Sequence, residues 1–190
     1  MIRVLDVLIA TVGLVMAMPL LLICLPIISL TSAGPPIFAQ QRVGRQQRLF
    51  VCYKLRTMRI GTVSAASHEV SRTAVTPFGA LLRRTKLDEL PQLWNVLVGD
   101  MSLVGPRPCL PSQTALITAR DERGVYVLRP GITGPAQVLG VDMSEPRYLA
   151  QLDETWLSNC SLREYLRLIL LTAIGRGRGD RVAMSDATKK

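Results

Sequence analysis

Two adjacent carboxylates, Asp88 and Glu89, lie in a basic segment that also contains Arg83 and Lys86. Acids at the start of a helical pattern most often cap its free backbone N–H groups. The same pair could instead supply a nucleophile and a Mg²⁺ ligand, because Mg²⁺ prefers carboxylate and phosphate oxygens. The start of a helix also attracts phosphate, and Arg83 could hold one there. The spacing alone leaves helix capping and phosphate chemistry both open.

Two later segments each present a single arginine from a rigid turn. Gly105–Pro108 contains Arg107 between two prolines. It cannot form a helix, because proline lacks the backbone donor and restricts the residue before it. Arg129 precedes Pro130 and Gly131 in a second such turn. A rigidly held guanidinium suits bidentate recognition of a phosphate or carboxylate, and a rigid loop without a ligand is the alternative for both turns.

A β-hairpin is predicted upstream of these residues. The segments Pro36–Gln41 and Arg48–Arg56 are short and β-like, and a turn at Val43–Arg45 joins them. Lys54 and Arg56 alternate with their neighbours, so both cations point from one face of an extended segment. They are further candidates for binding phosphates, and a solvated strand face is the alternative.

Helices are predicted on both sides of the acidic pair. Thr76 and Pro77 form a typical helix start, because a cap residue precedes a proline at the first helical position. Apolar residues with helical spacing follow the acids, with Trp94 among them, and Gly99 ends that helix. The segment Leu152–Thr172 is strongly amphipathic and predicts one helix, either in the core or on a bilayer surface.

The composition limits the classes of function. The chain has 190 residues, enough for one domain with a core, and a formal net charge of +9. Its mean hydropathy is +0.27. A basic and apolar chain favours a membrane surface or phosphate-bearing ligands over nucleic acid, because the basic stretches lack interleaved aromatic residues. The cysteines lack metal-ligand spacing, and the single histidine, His68, lies in a polar loop, which argues against a serine hydrolase.

The N-terminal segment Val7–Leu30 carries no charge and is long enough to cross a bilayer. Pro19 lies in its middle, where it removes a helix hydrogen bond. Basic residues flank both ends, so a helix broken at Pro19 would keep both ends in the cytosol. A single kinked span remains open on the residues alone. A signal peptide fits less well, because the apolar run is too long for its core.

Four stretches together resemble the bacterial sugar transferase family, the monotopic phosphoglycosyl transferases that begin lipid-linked glycan assembly. They are Tyr53–Met58, Lys86–Pro108, Arg129–Val138 and the apolar run broken at Pro19. The resemblance covers nearly the whole chain. It is to the small form of the family, which is little more than the catalytic core and lacks the extra membrane helices of larger relatives.

The resemblance implies a two-step reaction on a UDP-sugar. Asp88 would attack the sugar-bearing phosphate and expel UMP, and a polyprenyl phosphate such as undecaprenyl phosphate would then accept the phosphosugar. Glu89, together with Asp88, would bind Mg²⁺. The basic positions that it assigns to the phosphates are Arg83, Arg107, Lys54, Arg56 and Arg129.

The resemblance also implies an α+β fold, mostly helical, with amphipathic interfacial helices around a cytosolic active site. The expected divisions are a re-entrant membrane helix at residues 1–34, a catalytic domain at 35–175 and a disordered tail at 176–190. The expected location is the cytosolic face of the bacterial inner membrane, and a homodimer is one arrangement left open.

Two departures from the family pattern are visible. The family often has Ser before the breaking proline, where this chain has Met18, and Leu139 and Val141 replace polar residues and receive no site role. A membrane-tethered adaptor without catalysis, binding anionic lipid or a partner enzyme, is the alternative function. The retained acidic pair and Arg107 favour the enzyme.

Overall fold

The computed structural model describes residues 2–59, 61 and 74–175 of the chain. The predicted mostly helical α+β class is confirmed, and the strands form two separate two-stranded sheets. The predicted loop around His68 and the predicted tail at 176–190 lie outside the described residues. Within them the helices are α1 Ile2–Thr31, α2 Pro77–Thr85, α3 Gln92–Val98, α4 Thr114–Asp121, α5 Pro135–Leu139, α6 Pro146–Asn159 and α7 Leu162–Ala173. The strands are β1 Ile37–Val43, β2 Leu49–Leu55, β3 Ser102–Val104 and β4 Gly131–Thr133.

Strands β1 and β2 form the predicted antiparallel hairpin, in which Ile37 pairs with Leu55 and Val43 with Leu49. Cys52 on β2 is buried in the main hydrophobic core. Because side chains alternate along a strand, the Lys54 side chain lies on the same face as that of Cys52. Lys54 is therefore directed toward the body of the protein, and the solvated strand face is not its environment.

Helix α1 is apolar and long enough to cross a membrane, and it runs unbroken through Pro19 and Pro26. Pro19 therefore does not divide α1 into two helices, and the re-entrant path stays a prediction. Each proline removes one hydrogen bond without ending the helix, which apolar helices tolerate when neighbouring groups compensate. One side of α1 is buried against the protein, and the opposite side exposes large apolar residues. The exposed set includes Val4, Leu8, Val12, Val15, Met16, Leu22, Ile23 and Leu30.

Both ends of α1 bond to the rest of the protein. Near its start, Arg3 donates from Nη1 to the Val96 carbonyl at 2.6 Å and from Nη2 to the Leu97 carbonyl at 3.0 Å. Near its end, the Ile28 carbonyl accepts a bond of 3.4 Å from Nη2 of Arg56. The two ends of the apolar helix are thus fixed to one folded body.

A buried carboxylate on α1 joins three distant elements. Asp6 is 2% exposed and accepts bonds from Ser102 Oγ at 3.0 Å and from Leu103 N at 2.9 Å, both on β3. The hydroxyl of Tyr165 on α7 donates to the same carboxylate. Burial raises the pKa of Tyr165, and the hydrogen bond to Asp6 raises it further. Asp6 is therefore well satisfied by hydrogen bonds although it lies in the interior.

Strands β3 and β4 pair in parallel, with Ser102 opposite Gly131 and Val104 opposite Thr133. A Cβ on Gly131 would lie 2.1 Å from the backbone nitrogen of Gly105. Only glycine allows two backbones to approach this closely. The two rigid turns, which the sequence indicated separately, are therefore packed against each other.

The single helix predicted at Leu152–Thr172 is wrong, because α6 and α7 replace it and are separated at Cys160 and Ser161. Ser161 is the N-cap of α7, and its side-chain oxygen accepts a bond from the Glu164 N–H at 3.3 Å. Serine favours such a position because its side chain satisfies an orphan donor of the first turn. The cap at Ser161 therefore starts a new helix, although the apolar pattern continues across it.

Candidate active site

The acidic pair lies at the elbow between two helices. Thr76 caps α2 by accepting the Gly79 N–H at 2.9 Å, as predicted. Helix α2 ends at Lys86, which has a left-handed backbone with φ of 59°. Asp88 and Glu89 then form a 3₁₀ turn. The N-cap of α3 is Pro91, so neither acid occupies the position that simple helix capping requires.

Glu89 is held between two cations from distant parts of the chain. Its Oε1 lies 3.2 Å from Lys54 Nζ and 3.1 Å from Arg107 Nη2. The side chain of Glu89 is only 12% exposed, that of Lys54 14% and that of Arg107 22%. Partial burial strengthens such ion pairs relative to those on an open surface. The structure therefore brings together three of the residues that the sequence singled out.

Asp88 is the more buried acid, with 6% exposure. Arg83 lies in the last turn of α2, immediately before the elbow, and is half-buried. Burial lowers the pKa of Lys86, and Arg107 lowers it further while Glu89 opposes the shift. Cationic side chains therefore surround the elbow, which suits a ligand that carries several negative charges.

Two of the arginines assigned to phosphates have structural partners instead. Arg56 is 8% exposed and donates from Nη1 to the Pro35 carbonyl at 2.7 Å, beside its bond to the end of α1. Arg129 donates from Nε to the Gly99 carbonyl at 2.9 Å, at the end of α3. Cations commonly bind the free carbonyls of helix C-termini. Both arginines thus bond main-chain carbonyls near helix ends, and phosphate binding by them stays a prediction.

The Arg107 turn is held by backbone bonds on both sides. Gly131 donates its N–H to the Pro106 carbonyl at 2.9 Å, and Val43 donates to the Cys109 carbonyl at 2.9 Å. The turn is thus bonded to neighbouring segments as well as restricted by its two prolines.

Sequence reasoning missed several buried polar residues, among them Asn95 on α3, Arg120 on α4 and Asp153 on α6. Asn95 is fully buried, with Oδ1 accepting the Tyr53 N–H at 3.1 Å and Nδ2 donating to the Val51 carbonyl at 2.7 Å. It therefore ties α3 to the strand that carries Lys54. A polar residue inside an apolar helical pattern was the available signal.

The buried face of α3 differs from the predicted one. Trp94, which was placed on the apolar inner face, is 52% exposed, and Val98 is 53% exposed. Gln92, Asn95 and Val96 are buried instead. Leu93 and Leu97 of the predicted stripe do pack partly buried against the core, so helical spacing identified the stripe but not the exposure of Trp94.

A metal ion would find few ligands at the elbow. No group of three or more His, Cys, Asp or Glu side chains that could hold a metal occurs among the described residues. Asp88 and Glu89 alone match Mg²⁺, which typically uses one or two carboxylates, several waters and substrate phosphates. They do not form a complete protein cage.

The chain matches the model of the family described as bacterial sugar transferase over residues 1–176. A UDP-glucose:undecaprenyl-phosphate glucose-1-phosphate transferase of Caulobacter vibrioides is 40% identical over 183 residues, covering 90% of this chain and 67% of that protein. A UDP-N-acetylgalactosamine-undecaprenyl-phosphate N-acetylgalactosaminephosphotransferase of Aeromonas hydrophila is 35% identical, covering 84% of this chain and 40% of that protein. An undecaprenyl-phosphate galactose phosphotransferase of Salmonella typhimurium is 35% identical, covering 74% and 33%.

The chain thus spans between about one third and two thirds of the length of these relatives. Their names share a sugar phosphate and an undecaprenyl phosphate, and they differ in the sugar. Since the family model covers most of its residues, the chain belongs to the bacterial sugar transferase family.

Proposed function

We propose that the protein transfers a sugar-1-phosphate from a UDP-sugar to a polyprenyl phosphate, with release of UMP. The observation that carries the proposal is the elbow itself: a buried Asp88 next to a Glu89 that Lys54 and Arg107 hold. A carboxylate nucleophile needs neither histidine nor serine. Surrounding cations lower the repulsion between that carboxylate and an anionic diphosphate.

In the first step, an Asp88 oxygen attacks the sugar-bearing phosphorus of the donor. The bond from that phosphorus to the bridging oxygen breaks, and UMP leaves with the electron pair. Arg83, Lys54 and Arg107 stabilise the negative charge on the phosphoryl oxygens, including the charge that develops on the leaving group. The product is a phosphosugar bonded to Asp88.

In the second step, a phosphate oxygen of the polyprenyl acceptor attacks the same phosphorus, and the Asp88 carboxylate leaves. The burial of Asp88 limits access of water, which would otherwise compete with the acceptor for the mixed anhydride. Splitting the transfer into two displacements lets one carboxylate serve both substrates in turn.

Mg²⁺ fits this site as a partner of the substrate. Asp88 and Glu89 would bind it, with the donor phosphates and waters completing its coordination. When bound, Mg²⁺ supplies positive charge to the diphosphate.

We further propose that α1 enters and leaves the same face of the bacterial inner membrane, with the catalytic domain at the cytosolic side. The bonds of Arg3 and Arg56 support this topology, because they join both ends of α1 to one folded body. Exposed apolar residues on α3, on α7 and at the end of α7 would face the bilayer, and they include Trp94, Val98, Leu166, Leu170 and Ile174.

The decisive test is UMP release by detergent-solubilised protein with Mg²⁺, polyprenyl phosphate and a panel of UDP-sugars that includes glucose, galactose and N-acetylgalactosamine. Asp88→Asn should lower the rate by at least about 10³-fold, because the attacking oxygen is lost. Asp121→Asn, at an exposed position on α4, is the matched control and should retain the wild-type rate.

Without an acceptor, the wild type should release a burst of UMP no larger than the amount of enzyme, and its intact mass should increase by one sugar phosphate. Equal UMP release by the wild type and Asp88→Asn would contradict the role of Asp88 as the nucleophile. Silence of folded wild type across the panel would favour the non-catalytic adaptor.

A further inference from the structure

We propose that Arg120 and Asp153 form a positioning pair that holds Arg107 at the distance the donor phosphate requires. The inference rests on the proposed function, in which Arg107 binds phosphoryl oxygens. The pair acts through the main chain of residue 107 and has no direct role in the chemical steps.

The pair is almost completely buried, with Arg120 2% exposed and Asp153 1% exposed. Nε and Nη2 of Arg120 lie 2.9 Å and 2.7 Å from Oδ2 of Asp153. Arg120 lies on α4 and Asp153 on α6, so the ion pair joins the two helices. Burial raises the pKa of the Asp153 carboxyl, and the adjacent guanidinium opposes that rise.

A further hydrogen bond connects the pair to the active site. Nη1 of Arg120 donates to the main-chain carbonyl of Arg107 at 2.8 Å. The carbonyls of Pro106 and Pro108 on either side bond to other elements, so Arg120 supplies the donor for the central carbonyl of the turn. From that same residue the guanidinium of Arg107 extends to Glu89, with 3.1 Å between Nη2 and Oε1.

Stability gives no sufficient reason for a charged pair at this place. Taking two ions out of water is costly, and apolar residues of similar volume often stabilise a fold equally well. An apolar residue, however, cannot donate to the Arg107 carbonyl. The planar guanidinium directs several donors outward, so one side chain bonds the Asp153 carboxylate and this carbonyl together. The pair therefore fixes both the position of the turn and the orientation of its Arg107 carbonyl.

A double-mutant cycle separates positioning from folding. Arg120→Lys keeps the buried charge, but a single ammonium nitrogen cannot reproduce the divergent bonds of a guanidinium. With Arg107 present, we expect it to lower kcat/KM for UMP release by roughly 10-fold to 100-fold. In the Arg107→Ala background we expect a change of less than about 2-fold, because no guanidinium remains to be positioned.

The main-chain carbonyl of residue 107 exists in both backgrounds, so the loss of thermal stability caused by Arg120→Lys should be the same in both. Leu149→Ala, which removes a buried side chain one turn before Asp153 on α6, is the control for general destabilisation. Its effect on kcat/KM should be equal in the two backgrounds. Asp153→Asn takes the place of Arg120→Lys in the same cycle if the lysine variant does not fold.

Equal losses from Arg120→Lys in both backgrounds, or no loss in either, would overturn the positioning role. The wild-type assay decides the proposed function separately. An inactive wild type contradicts the transferase itself, whereas an active wild type with independent losses contradicts only the positioning pair.

Discussion

Asp88 and Glu89 are neighbours in the chain but have different surroundings. Asp88 is 6% exposed, and Glu89 is bonded through one oxygen to both Lys54 and Arg107. A carboxylate that contacts two cations has part of its charge neutralised, so it is a weaker nucleophile. The same contacts orient both cationic side chains. These contacts suit Glu89 to ordering the cations and the metal, in line with the proposed division in which Asp88 is the nucleophile.

Glu89→Gln tests this division. The amide keeps the shape of the side chain but removes the charge that orients Lys54 and Arg107, so we expect kcat/KM for UMP release to fall by about 10²-fold. The Mg²⁺ concentration at half-maximal rate should also rise, because a ligand is lost. Glu164→Gln, whose carboxylate pairs with Arg167 on the exposed side of α7, should change neither value. An unchanged Mg²⁺ requirement in Glu89→Gln would show that Glu89 is not a ligand.

At this scale the sequence indicated the acids and two of their cationic partners but not the main-chain contacts of every arginine. Lys54 and Arg107 reach the elbow, whereas Arg56 and Arg129 bond to carbonyls near helix ends. A guanidinium binds a phosphate and a helix C-terminus through the same donors. The choice depends on which acceptor the fold brings near, and spacing along the chain does not contain that information.

At the scale of elements, the two Pro- and Gly-containing turns support each other through β3 and β4. The backbone nitrogen of Gly105 bonds the Thr133 carbonyl at 2.8 Å, and Gly131 bonds the Pro106 carbonyl at 2.9 Å. The Arg129 turn therefore serves the site by holding the backbone of the Arg107 turn, although its own arginine bonds to α3.

Gly131→Ala should disrupt this contact. Its Cβ would meet backbone atoms at 2.1 Å and 2.5 Å, so the two turns must separate, and we expect a loss of about 3 kcal/mol in the free energy of unfolding. Gly124→Ala is the control, because its left-handed backbone costs about 1–2 kcal/mol while its Cβ meets nothing within 4 Å. Denaturant unfolding measures both losses, and equal losses would contradict the close approach.

The elements themselves were predicted where local signals were strong. The hairpin, the cap at Thr76 and the end of α3 at Gly99 are all confirmed. The pairing of β3 with β4 was missed because each strand has only three residues. In addition, parallel strands are not joined by a short hairpin turn that the sequence could reveal. The exposed position of Trp94 was missed because a helical stripe does not say which side the protein covers.

At the scale of the whole molecule, Asp6 joins the apolar helix to the rest of the protein. It brings together α1, β3 and α7 through Ser102, Leu103 and Tyr165. The sequence indicated an apolar helix and a separate domain, but this carboxylate makes their attachment specific. A buried carboxylate that accepts several hydrogen bonds fixes the relative position of the elements, because hydrogen bonds are directional and apolar packing is not.

Tyr165→Phe tests the attachment through pH. Its loss of a hydrogen bond to buried Asp6 should lower the free energy of unfolding by about 1–3 kcal/mol near neutral pH. Because the pKa of Tyr165 is raised in the fold, the wild type keeps this contribution below about pH 10 and loses it as the pH rises further. The stability difference between wild type and variant should therefore be constant below about pH 10 and shrink steadily as the pH rises above it. A difference that grows with pH would contradict the raised pKa.

The close contact between α1 and α3 links membrane depth to chemistry. A Cβ on Gly13 would lie 3.3 Å from Cδ1 of Leu93, and Leu93 follows the acidic pair by only a few residues. With α1 seated in the bilayer as proposed, its depth sets the height of Asp88 above the plane of the lipid phosphates. Bilayer thickness then becomes a determinant of the transfer rate. A change in the depth of α1 moves the nucleophile away from the acceptor phosphate without altering any bond within the site.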